Sequence, residues 1–382
     1  MTALLVLLGL LSVATIASRP GPFAAALDRI AAPLLIGSGL ALGPLGLGVV
    51  SASLRGGLEQ ALAVGVTWLG IVLGLRSSSI DLQQGTLPRA IVVVAAATGS
   101  SVLVATAALA TPALIGWQPP LSSALVGGSA LVIGGAVVGT LPIGEGPGAV
   151  VARGLFHDCG ELVATACAIA AVAVLPSWTG VAASIVAVVV IGVGLLLAGL
   201  QRFLGGGAGG DAETRLISLL GVVAVAAGLL HEVGLPSALS GLVAGLALGR
   251  TALGRALGAS LLPTERPARI VVLFLIGAMT SMSTSALLIG GILALGQFVV
   301  HLIATSWAVG RSVNLGELAA GLGSSSIAVV IAASFSLAGF PEGALLVSSS
   351  AVAVIVTDLV AAGLLLRGRW GAAMTALPKA AR

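Results

Sequence analysis

Long apolar stretches separated by short polar breaks run through the whole chain. Each is close to the roughly 20 residues that a helix needs to cross hydrocarbon. The pattern predicts about thirteen spans, at approximately 2–18, 31–50, 61–75, 90–111, 121–141, 150–175, 179–200, 215–230, 236–249, 268–283, 286–309, 316–338 and 343–366. The third and ninth are short. The first lacks a basic stretch ahead of it and is followed by Arg19, so it reads as a retained helix and not a cleaved leader. Residues 1–369 then form a single transmembrane domain, and 370–382 are expected to be a short cytoplasmic tail.

Charge orients this array. Of the 17 Lys and Arg residues, Arg55 alone falls on the opposite side from the rest when the spans alternate. Basic residues collect on the cytoplasmic side of membrane proteins, so the expected topology is N-terminus outside and C-terminus inside, in the cell (plasma) membrane. Removing or adding one central span would scramble the bias.

Composition agrees. The chain is 58% hydrophobic and 8% charged, against about 25% charge in soluble domains. The 55 glycines and few aromatics suit close helix packing through small residues. A net charge of +4 reflects helix-end arginines with few acids to offset them, not a nucleic-acid surface. Cys159 and Cys167 share one apolar stretch. A disulfide cannot close within a helix at that spacing, and no metal motif includes them. No nucleophile–base set or phosphate loop is present either, so an enzyme is not expected, and no cofactor is implied.

The glycine run 205–210 reads as a solvated linker and divides the chain roughly in half. The halves resemble each other. Gly39-Leu-Ala-Leu-Gly43 in the second span recurs as Gly245-Leu-Ala-Leu-Gly249 in the ninth. The following spans match loosely, Leu69–Gly74 with Leu273–Gly277. The proposed units are spans 2–6 (about 31–175) and 9–13 (about 236–367), joined by 176–235. Seven spans separate them, an odd number, so the units would lie inverted in the membrane, an arrangement that characterises secondary transporters. In each unit a glycine-rich span follows. Gly134 and Gly135 in the fifth span, and Ser324 and Ser325 in the twelfth, are poor helix formers at mid-membrane depth. They mark either broken helices facing a cavity or close packing of small residues.

Ionisable residues inside spans are few, and each is expensive in hydrocarbon. Asp158 stands about eight residues inside the sixth span, roughly 12 Å from its cytoplasmic end, with His157 before it and Glu161 one turn on. His301 and Asp358 lie about 15 residues into the eleventh and thirteenth spans, at a similar depth. His231, Glu232 and Glu342 fall at extracellular ends and read as solvated.

Five stretches together resemble the monovalent cation:proton antiporter-2 family, within the sodium/proton antiporter fold: Pro33 to Leu47, Leu69 to Gly74, Leu155-Phe-His-Asp158, Leu239 to Gly249 and Phe274 to Met279. The resemblance implies a core domain with crossed, partly unwound fifth and twelfth helices. It implies a scaffold of the second, third, ninth and tenth helices that forms a homodimer, and elevator-like movement of the core. It makes Asp158 the ion-binding acid, with His157 in the variable position before it. The sequence departs from the family at Gly321–Ser326, which carries no charge, and at His301, where a basic residue, typically Lys, is usual.

A carboxylate in a low-dielectric interior keeps its proton unless a cation pairs with it. Either H⁺ or Na⁺/K⁺ therefore neutralises Asp158, and neither binds while the other does. His301 could carry a proton, pair with Asp158, or bond to Gln297 one turn earlier. Glu161 and Asp358 are ligand or helix-packing candidates. The partners implied are H⁺, a monovalent cation and the lipid bilayer, with no metal beyond the transported ion. A same-fold carrier of another solute, such as an organic anion, and a non-transporting membrane subunit or sensor are the alternatives.

Overall fold

The second apolar stretch does not remain helical to its expected end. Gly43 precedes Pro44, and a residue before proline is pushed out of the helical region. In the computed structural model the helix runs over Ala24–Leu42 and then turns sharply. Leu47 N–H donates to the Ala41 carbonyl at 2.7 Å and Val50 N–H to the Leu42 carbonyl at 3.2 Å. Gly48 sits at φ 65° within this turn, a conformation that glycine takes without steric cost. The structure describes residues 24–44, 46–50, 52–78, 183–204, 212–309, 326–340 and 343–380.

All regular elements among the described residues are helical. They are α1 (Ala24–Leu42), α2 (Ala52–Ser78), α3 (Ala183–Leu204), α4 (Ala212–Val233), α5 (Ser237–Gly249), α6 (Ala252–Leu261), α7 (Glu265–Met279), α8 (Thr284–Val309), α9 (Ser326–Leu337) and α10 (Gly343–Ala380). The first, fourth, fifth and sixth expected spans and the 205–210 linker lie outside the described residues. α2 has 27 residues, where a short third span was expected over 61–75. Its extra turns carry Arg55 and Glu59, an i,i+4 ion pair at 3.9 Å that the apolar pattern could not register. α5 has 13 residues and is as short as expected. α10 continues past the expected membrane boundary, through 370–380.

α6 falls where only a connection was expected. Thr251 caps it, its hydroxyl accepting from Gly254 N–H at 3.0 Å. Leu253, Leu257 and Leu261 recur every four residues and are buried, while Arg255 faces out. This is an amphipathic helix too short and too polar to span.

The centre is built from backbone approach. α2 packs most extensively on α5, and α1 on α7. A Cβ placed on Gly74 would run into the Leu242 carbonyl, and one on Gly245 into the Ile71 carbonyl. On the other pair, a Cβ on Gly39 would run into the Phe274 carbonyl, and one on Gly277 into the Ile36 carbonyl. Glycine lets the two backbones meet where any side chain would force them apart. Around this centre, α3 lies against α5 and α4 against α2, while α8 and α9 lie against α10.

The outward faces of α3 and α4 are apolar, with Val188 68%, Phe203 84% and Ile217 65% exposed. Contiguous apolar surface of this kind suits hydrocarbon, not water. Leu54–Arg76, Glu213–Val233 and Gly343–Gly363 are each long and apolar enough to cross a membrane.

Gly245→Val should lower thermal stability by roughly 1–3 kcal/mol or more, because two backbones must separate. Gly192→Ala should leave it near the parental value, since a Cβ there meets open space. Unfolding of the purified protein in detergent measures both. Equal tolerance of the two changes would contradict the close approach.

Candidate functional site

Most of the expected site falls outside the described residues: His157, Asp158, Glu161, Gly134, Gly135, Ser324 and Ser325. His301 falls within α8 and Asp358 within α10. Asp358 is only 7% exposed, in a helix whose other neighbours at that level are largely apolar. Thr357, beside it, is also buried, and its hydroxyl donates back to the Ala353 carbonyl at 2.8 Å.

α8 and α10 lie side by side, and their register fixes where the two ionisable residues stand. A Cβ on Gly290 would meet Val352 and the Ser349 carbonyl. Further along, Ala294, Leu295 and Phe298 of α8 face Val356, Thr357 and Val360 of α10 across an apolar groove of about 360 Å³. Carried forward, this register sets Asp358 level with about Gly296 or Gln297. His301 then lies about one helical turn beyond it, roughly 6 Å at 1.5 Å per residue.

α10 carries a buried hydroxyl run above Asp358, at Ser348, Ser349 and Ser350. Ser348 donates to the Ser281 carbonyl at 2.6 Å, tying α10 to the strand-like turn after α7, with the Ala344 carbonyl also at 2.6 Å. Ser349 donates to the Leu346 carbonyl at 3.1 Å. Among the described residues Ser350 Oγ has no hydrogen-bond partner, although the residue is 1% exposed. Buried polar atoms of that kind are uncommon. Three consecutive hydroxyls in an apolar span were the signal in the sequence, and it was overlooked beside the single acid.

Two charged clusters lie at the helix ends. Arg76 of α2 and Arg269 of α7 both pair with Glu265, the Arg76 contact at 3.3 Å. Trp68 Nε1 donates to the Thr264 hydroxyl at 3.0 Å beside them. At the opposite ends of α2 and α7, a cavity of about 200 Å³ is bordered by Arg55, Glu59, His231, Thr280 and Ser336. His231 is not solvated as expected: it is half-buried, with Nδ1 3.1 Å from the Leu337 carbonyl. Among the described residues no group of three or more His, Cys, Asp or Glu could hold a metal.

No family model and no curated protein matches the chain. Among solved structures it is similar to the sodium proton antiporter MjNhaP1 from Methanocaldococcus jannaschii, at 16% identity and a TM-score of 0.57. The match covers 95% of this chain and 99% of that one. The chain therefore has a sodium/proton antiporter fold.

Glu265→Gln should destabilise the protein by on the order of 1–2 kcal/mol, since two guanidinium groups lose their shared carboxylate at a half-buried site. Adding Arg76→Gln should recover part of the loss. Additive losses in the thermal unfolding of single and double variants would contradict the pairing.

Proposed function

We propose that this protein is a secondary active transporter of the cation:proton antiporter-2 type, exchanging H⁺ for Na⁺ or K⁺ across the cell membrane. The observation that carries this reading is the antiporter fold shared over 95% of the chain. Fold alone does not assign chemistry, and Asp158 supplies it. A membrane-depth carboxylate that H⁺ and a cation must share couples their movement. Glu161, His157, His301 and Asp358 are the remaining groups around this exchange, and Asp358 is buried as an intramembrane site requires.

The same reading includes thirteen spans with the N-terminus outside, inverted repeats, and elevator-type movement of a core against dimerising scaffold helices. The glycine contacts support the repeat. When the two halves are aligned on their glycines, Gly39 corresponds to Gly245 and Phe274 to Ile71, so the α1–α7 contact and the α5–α2 contact are the same contact repeated. Gly277 against Ile36 and Gly74 against Leu242 repeat in the same way.

The buried Ser350 hydroxyl, which has no partner among the described residues, favours one second reading, a carrier of an organic anion on the same fold, with a hydroxyl in place of charge. Proton flux in proteoliposomes separates the two. With Na⁺ or K⁺ gradients, the parental protein should move protons and Asp158→Asn should lose at least about tenfold of that rate. Undiminished exchange in Asp158→Asn would refute the role of the carboxylate. Flux with anions only would favour the second reading, and no flux with any solute would favour a non-transporting subunit.

A further inference from the structure

Three helix ends converge on the 200 Å³ cavity: α4 ends at Val233, α7 at Met279 and α9 at Leu337. The last carbonyls of a helix have no partner within it. Here two of them are met by donors from other helices. Arg55 of α2 donates through Nη2 to the Met279 carbonyl at 3.0 Å. His231 of α4 approaches the Leu337 carbonyl through Nδ1 at 3.1 Å. A carbonyl only accepts, so Nδ1 must carry the hydrogen.

The two contacts join different things. Arg55 links α2 and α7, which also pack along their lengths. His231 links α4 to the final turn of α9. A second hydrogen bond lies beside it, from Ala238 N–H at the start of α5 to the Ser334 hydroxyl at 3.1 Å. The turn between α4 and α5 presses on the same place: Gly234 takes φ 71°, and a Cβ there would lie 3.1 Å from the Ala338 carbonyl. Earlier in α9, Ala328 to Ala333 are buried and apolar. Apolar surfaces can slide past one another, whereas a hydrogen bond is either made or broken. The α4–α5 hairpin therefore grips α9 at its end with discrete contacts.

We propose that the His231–Leu337 hydrogen bond is a latch that holds this mouth of the protein closed. It would have to open whenever the ion site faces that side, which charge bias expects to be extracellular. The inference rests on the alternating-access reading above. Among the described residues, the charged groups lining the cavity beside the latch are Arg55 and Glu59, both on α2 and 3.9 Å apart.

The test uses the full chain with Cys159→Ala and Cys167→Ala, and Ser336→Cys as a reporter in the cavity wall. A membrane-impermeant maleimide is applied to each face of vesicles at one pH. His231→Ala should raise the labelling rate from the mouth side about fivefold, the population weight of one ordinary hydrogen bond. His231→Asn, whose amide nitrogen can take the place of Nδ1, should restore the slow rate. The apparent KM for Na⁺ or K⁺ at the same face should fall with His231→Ala and return with His231→Asn, a split that simple loss of stability would not produce.

Unchanged labelling and KM in His231→Ala, in a protein that exchanges cations, would overturn the latch and leave antiport standing. Equal acceleration by Ala and Asn would also overturn it, because the ring's bulk and not its donor would then be at work. A labelling response in a protein with no cation flux would uphold the latch as a closure and remove the antiport reading.

Discussion

The structure depends on backbone-to-backbone contact between helices. In hydrocarbon, apolar side chains gain little by leaving lipid for protein, so association rests on close packing. Gly74 and Gly245 bring α2 against α5, and Gly39 and Gly277 bring α1 against α7, each at a distance only glycine permits. α3, α4 and α7 pack on α2 or α5 and take their places from this centre. Charged side chains fix the ends: the Arg76–Glu265 ion pair joins α2 and α7 at one end, and Arg55 donates to the last carbonyl of α7 at the other. α8 and α9 pack on α10, which in turn packs on α1.

Function then follows from placing few polar groups in many apolar ones. Among the described residues, α10 carries a buried carboxylate, Asp358, and a run of buried hydroxyls above it. Their cost in a low-dielectric interior is a reason to look for a solute beside them. The α8–α10 register adds a constraint that depth along the sequence could not: His301 and Asp358 are about one turn apart and not level.

What the sequence made legible was whatever leaves a periodic or repeated trace. The recurring glycine stretches singled out Gly39 and Gly245, and the structure puts both at close helix contacts. The shortness of α5 was readable from its run of apolar residues ended by Arg250. Pro44 marked the end of α1, but hydropathy continued through the glycine-rich turn and masked it. α6 was missed because its apolar residues recur at helical spacing over a stretch too short to register as a span. His231 was misread because a position at a span's end does not reveal which other helix ends there. That contact spans 106 residues and exists only in three dimensions.

The central claim is the proposal that protons and a monovalent cation compete for the Asp158 carboxylate. The most direct measurement is the thermal stabilisation of the purified protein by Na⁺ or K⁺, titrated at a series of pH values, because an ion at free concentration c that binds only the folded state stabilises it by RT ln(1 + c/Kd). Competition predicts that the concentration needed for a given stabilisation rises about tenfold for each unit of pH lowered once the acid is protonated. A required concentration that does not move with pH, or no cation-dependent stabilisation at any pH, would contradict the account.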